Sequence, residues 1–134
     1  MIVVDTNVVA YLLIPGQYTE AARAALAKDS EWAAPVLWRS EFRNVLARYL
    51  RNGELSLDQA VALQETGETL LAGREFTARS QDVLTLVASS ARSAYDCEFI
   101  ALARSLKLKL VTSDKALLAS FPGDSVPLQK FGAA

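Results

Sequence analysis

Ile2-Val3-Val4-Asp5-Thr6-Asn7 and Leu110-Val111-Thr112-Ser113-Asp114 decide how this chain reads. Each is a short apolar, β-branched run that ends at an aspartate. Runs of that length and composition read as buried strands. If the two strands are parallel, Asp5 and Asp114 sit at the same carboxyl edge of the sheet. That edge is where ligands bind in open α/β sheets. The competing reading is that each aspartate only caps the helix that follows it.

Working outward, short β-rich runs alternate with helical patterns. That alternation predicts one α/β domain spanning residues 1–134, with a central, mainly parallel sheet flanked by helices. Thr6 to Leu13 reads as a helix stopped by Pro15-Gly16, and Thr19 as the cap of a helix through Lys28. Trp32 to Ala34 is a short strand. Pro35 suits the first turn of the next helix, which runs to about Leu50 and stops at Asn52-Gly53. Ser56-Leu57-Asp58-Gln59 has the pattern of a capping box, and Gly73 closes the helix it opens. Glu75 to Thr77 reads as a strand, Ser80 as the cap of a helix through about Ala91, and Tyr95 to about Leu106 as a helix. Lys109 to Thr112 is a strand, Asp114 to Ala119 a short helix, and Val126 to Leu128 a final edge strand. The pattern does not fix the strand order.

Composition narrows the chemistry. With 134 residues and 51% apolar content, one domain can bury a core without staples. Lys plus Arg is 14 against 15 for Asp plus Glu, a net charge of -1. Binding to nucleic acid must therefore rest on a local basic patch or on metal. The chain has no histidine, which removes the commonest general base, and Cys97 is its one cysteine. Zinc sites of the usual kind and an intrachain disulfide are both excluded. Hydrolytic chemistry must run on carboxylates and a hard metal ion. A lone cysteine, no basic leader before the first apolar run and no membrane-length apolar stretch predict a cytoplasmic protein with no membrane association.

Two more acids stand where acids are expensive. Asp96 has Phe99, Ile100 and Ala103 as its helical neighbours, so it heads an apolar stripe. Its rival role is the end of a capping box that starts at Ser93. Glu41 lies mid-helix, with Leu37 four residues before it and Val45 four after. It is too far along for capping, and an acid on an apolar face is costly unless it is paired or metal-bound. Arg43 and Arg48, at i+2 and i+7, are poor helical partners; a distant arginine is the remaining alternative. Glu98 points away from Asp96 on the same helix and reaches at most the rim of a site. Arg39 and Arg43, a turn apart beside Glu41, and Lys115, next to Asp114, are candidate phosphate contacts, with an ordinary solvated face as the competing reading. Trp32 and Trp38 read as core rather than stacking platforms.

These residues carry a family resemblance. Ile2 to Val8, Ser40-Glu41-Phe42, Tyr95 to Ala103 and Leu110 to Asp114, in that order and spacing, make the chain resemble a PIN domain. Within that group it resembles the VapC-type toxin ribonucleases of toxin–antitoxin pairs. The resemblance implies a parallel sheet between helices and a central acidic pocket. It implies catalytic roles for Asp5, Glu41, Asp96 and Asp114, with Asp5, Asp96 and Asp114 on Mg²⁺ or Mn²⁺. Asn7 and Thr112 or Ser113 become polar supports at the pocket. It also implies an RNA substrate, a cognate antitoxin and a homodimer. The stretch from about Gly53 to Ser80 adds little to the match.

Other functions fit less well. A binding module without nuclease activity is expected to lack one of the acids, and all four are present. A phosphoacceptor domain wants an acidic pair after the first strand, and an Asp-x-Asp phosphatase wants an acid at position 7, where this chain has Asn7. A deoxyribonuclease stays open, because hydrolysis at such a site does not read the 2′-OH.

Overall fold

The computed structural model describes residues 1–133. Five strands, Ile2–Val4 (β1), Trp32–Pro35 (β2), Glu75–Phe76 (β3), Leu110–Thr112 (β4) and Ser125–Pro127 (β5), form one sheet in the order β3-β2-β1-β4-β5. Every adjacent pair is parallel. The chain lays down β1, builds outward through β2 to β3, then returns to place β4 on the other side of β1. The order therefore reverses between β1 and β4, and their carboxyl ends flank the crevice that such a reversal opens. The register sets Val3 against Leu110 and Val4 against Val111, so Asp5 and Thr112 leave the two strands level with each other.

Helices cover both faces: Thr6–Leu13 (α1), Thr19–Lys28 (α2), Leu37–Arg51 (α3), Leu57–Leu70 (α4), Ser80–Ala88 (α5), Ala94–Leu106 (α6), Lys115–Ser120 (α7) and Leu128–Phe131 (α8). Coverage on both sides explains why β1, β2 and β4 are buried at every residue and read as continuous apolar runs rather than alternating ones. None of the helices is long and apolar enough to cross a membrane among the described residues.

Helix α3 is anchored by one face. Trp38, Phe42 and Leu46 are buried, and the Trp38 and Phe42 rings lie 6.0 Å apart. Both Trp32 and Trp38 are fully buried, as expected of core residues. Gly67 brings α4 against this anchor: a Cβ there would stand 2.9 Å from Cη2 of Trp38.

Several boundaries differ from the sequence reading. Pro35 ends β2, level with Phe76, instead of opening α3. Its missing N–H costs nothing there, and Val36 donates to the Phe76 carbonyl instead (2.9 Å). Thr19 is the first residue of α2, not its cap. Its hydroxyl accepts from Gly16 N–H (2.9 Å) and donates to the Tyr11 carbonyl (2.7 Å), which ties down the turn between α1 and α2. Ser80 likewise opens α5 without capping it, and α5 stops at Ala88, where Ser90 donates to the Leu86 carbonyl (2.8 Å). Leu128 begins a short helix rather than extending β5. The capping box at Ser56 and Gln59 is formed in both directions.

Candidate active site

Asp5 sits at the end of β1 and caps α1. Its Oδ1 accepts the Val8 N–H (3.1 Å) and its Oδ2 accepts the Thr112 hydroxyl. Asp114 caps α7, with Oδ1 accepting from Ala116 (2.8 Å) and Leu117 (3.0 Å). The Thr112 oxygen also takes the Asp114 N–H (3.0 Å). One hydroxyl thus links the two strand-end acids. Capping is real at both positions and does not exhaust either group. Each cap uses one oxygen, and Oδ2 of Asp114 has no hydrogen-bond partner among the described residues.

Glu41 reaches the same place from α3, its Oε1 accepting the Thr6 hydroxyl at 2.7 Å. Asp96 enters from the first turn of α6. Ser93 performs the capping there, its oxygen taking the Asp96 N–H at 3.1 Å. A single cleft of about 460 Å³ is lined by Asp5, Glu41, Asp96 and Asp114, with Thr6, Asn7, Ser40, Asn44 and Tyr95 beside them.

Charge is not balanced in this cleft. Asp5 is buried, and loss of water pushes its carboxyl up to about 6; the Thr112 and Val8 bonds oppose that, while Asp114 and Glu41 add to it. Glu41 is raised by burial first, against its Thr6 bond, and further by Asp96 and Glu98. Asp96 is raised by burial and by Asp114, with Arg92 and Ser93 acting the other way. The chain's ion pairs within 4.0 Å lie elsewhere, and none includes these four acids among the described residues. Carboxylates crowded in this way are what a cation relieves.

The family model of the PIN domain matches residues 2–121. This chain belongs to the PIN domain family. Ribonuclease VapC3 of Pyrobaculum aerophilum is 30% identical over 129 residues, covering 94% of this chain and 98% of that protein. PAE2754, also from P. aerophilum, superposes with a TM-score of 0.73 at 22% identity, over 92% of this chain and 81% of the other. FitAcB from Neisseria gonorrhoeae gives 0.71 at 20%, over 97% and 99%. A toxin–antitoxin complex from Klebsiella pneumoniae gives 0.66 at 20%, over 96% and 98%. The solved structures share the fold.

Within this PIN domain, the four acids predicted from sequence all meet at the cleft, and Asn7 lines it. Thr112 contacts Asp5 directly. Ser113 instead shares a 3.0 Å hydrogen bond with the Tyr11 hydroxyl. The predicted cations are not gathered with the acids. Arg39 turns to the other side of α3 and is held by Glu75 (2.6 Å) and Glu68 (3.1 Å). Arg43 borders a separate hollow between α3 and α4. Lys115 is exposed on the first turn of α7, beside Asp114.

Thr6, Ser40, Asn44 and Tyr95 also line the cleft, although the sequence reading gives none of them a site role. The signal was present for two of them, since Ser40 and Asn44 share the helical face of Leu37, Glu41 and Val45 by i+3 and i+4 spacing. Among the described residues, no three acids converge closely enough to form a ready-made metal cage. The donors still suit a hard ion. Mg²⁺ keeps most of its waters and takes only one or two carboxylates directly, and unpaired carboxylate oxygens facing a cleft are what it needs.

Proposed function

We propose that this PIN domain is a metal-dependent endoribonuclease and the toxin of a type II toxin–antitoxin pair. The observation that carries the reading is the set of four acids from four elements, brought to one cleft at the sheet's reversal point with no cation paired to them among the described residues. The 30% identity to a ribonuclease over nearly the whole chain supports it.

Asp5, Asp96 and Asp114 would hold Mg²⁺ or Mn²⁺, directly or through water. When bound, such an ion acidifies water and neutralises charge on a phosphodiester. The chain's own groups do the rest. Thr112 keeps Asp5 and Asp114 at a fixed separation. Thr6 holds one oxygen of Glu41, leaving the other to orient the attacking water and receive its proton. Asn7 lines the wall beside Asp5, and Lys115, exposed next to Asp114, would contact a substrate phosphate. A cognate antitoxin would cover this cleft and place an arginine among the acids, and the active form would be a homodimer. The likeness to a toxin–antitoxin complex supports the antitoxin.

The test is cleavage of total cellular RNA by the purified protein with Mg²⁺ or Mn²⁺, with the ends mapped. Asp5→Asn and excess EDTA serve as controls, and single-stranded DNA is run alongside. Metal-dependent cuts in RNA that vanish in both controls are expected. Equal activity in EDTA, or RNA binding without any cleavage, would overturn the reading.

A further inference from the structure

Next to the acidic cleft lies a second hollow of about 250 Å³ with a different character. It shares Asn7 and Val45 with the cleft, so the two adjoin along that wall. Three tyrosines line it: Tyr11 and Tyr18, whose ring centroids stand 4.8 Å apart at 42°, and Tyr49 from α3. Arg48 is its single charged lining residue, is exposed, and forms no ion pair among the described residues.

The wall is held in place. Ser113 bonds the Tyr11 hydroxyl at 3.0 Å, and Thr19 ties the Tyr11 carbonyl to the Gly16 N–H. By contrast, the hydroxyls of Tyr18 and Tyr49 have no hydrogen-bond partner among the described residues.

We propose that this hollow is a nucleobase subsite: it takes one unpaired base of single-stranded RNA, stacked against the tyrosine rings that line it, with Arg48 on the adjoining phosphate. The inference rests on the nuclease reading above and adds to it how substrate is gripped. Aromatic faces accept any base, and a cation beside them tracks the backbone. A base flipped into this hollow positions the neighbouring phosphodiester over the acids through the shared wall at Asn7. A duplex has no splayed base to offer, so the subsite selects single strands. The chain's net charge of -1 gives no general attraction for RNA, so grip must come from local features of this kind.

The test uses the full-length Asp5→Asn protein, which binds without cutting, and a fluorescent single-stranded RNA heptamer. Tyr49→Ala in that background should weaken binding about tenfold, the size of one base–aromatic stack, while Tyr49→Phe stays near the parent. Arg48→Ala should weaken binding and lower the salt slope by about one. In NMR titrations, a dinucleotide should shift the Gly16 and Gln17 amides; a double-stranded RNA of equal length should not. Circular dichroism confirms that each variant is folded, and Tyr18→Ala repeats the test at a second ring. If RNA is cut by the wild type but Tyr49→Ala and Tyr18→Ala bind as the parent and Gly16 stays silent, the subsite is wrong and the nuclease reading stands. If an antitoxin peptide shifts Gly16 and Gln17 and RNA does not, the hollow belongs to a protein partner and the proposal falls. Absence of both binding and cleavage removes the nuclease reading and this inference with it.

Discussion

Helix α3 carries two opposite treatments of charge only two residues apart. On one side, Arg39 donates twice to Glu75 and once to Glu68, and Trp38 Nε1 adds a 2.7 Å bond to the same Glu75. On the other, Glu41 meets a hydroxyl and three further acids instead of a cation. The first arrangement clamps α3 to β3 and α4. Its acid is satisfied: the Arg39 bonds, then Trp38, hold the Glu75 carboxyl below its usual range despite partial burial. The second leaves Asp5, Glu41 and Asp96 raised. Both Glu41 and Glu75 lose water on folding, and of the two only Glu75 gains a matched cation among the described residues.

The sharpest break of this contrast is chemical. Asp5→Asn, or Asp96→Asn, should lower the RNA cleavage rate at least about 100-fold, the low end of what a positioned catalytic group contributes, with the fold intact by circular dichroism. Glu75→Gln, an equally conservative change on the clamp side, should leave cleavage within about twofold, as substitutions away from a site usually do.

Stability should move the opposite way. Folded Asp5 keeps its proton up to about 6, against 3.8 in the unfolded chain. Between those values the native state binds more protons, so stability falls as pH rises through that window. Metal-free Asp5→Asn escapes this and should be more stable than wild type at pH 7, by on the order of 1–3 kcal/mol. The two should converge near pH 4 in urea melts. Glu75 has the reverse sign: its lowered pKa adds stability above the unfolded value of 4.5, and this is lost as pH falls below it. Glu75→Ala should therefore lower the melting temperature at pH 7 by about 3–6 °C, with the deficit shrinking in acid.

The smallest effect expected is at Arg43. It borders the hollow between α3 and α4 instead of the acids, so Arg43→Ala should leave cleavage within about twofold in a steady-state assay.

How much of this was legible in the sequence depends on the range of the interaction. Ile2–Val4 and Thr6–Leu13 fall where apolar runs and the Pro15-Gly16 stop placed them. Asp5 and Asp114 were readable because a strand-end acid needs no distant partner to be noticed. Glu41 was readable because its own helix offered no cation at i±3 or i±4. Arg39 misled for the matching reason: its partners, Glu68 and Glu75, lie 29 and 36 residues away. The strand order was hidden because runs of two to four residues carry no pairing information of their own. The tyrosine hollow was hidden because Tyr49 reaches Tyr11 and Tyr18 only through the packing of α3 on α1. Thr19 and Ser80 looked like caps and proved to be first-turn residues, a shift of one position that composition does not resolve.

A cleft whose negative charge stays unbalanced until a divalent ion arrives should bind that ion saturably. Calorimetric titration of the metal-free protein with Mn²⁺ at pH 7, beside Asp5→Asn and Glu75→Gln, tests it most directly. Saturable binding by wild type and Glu75→Gln, with at least about tenfold loss in Asp5→Asn, is predicted. No saturable binding at millimolar Mn²⁺, or equal affinity in all three proteins, would contradict it.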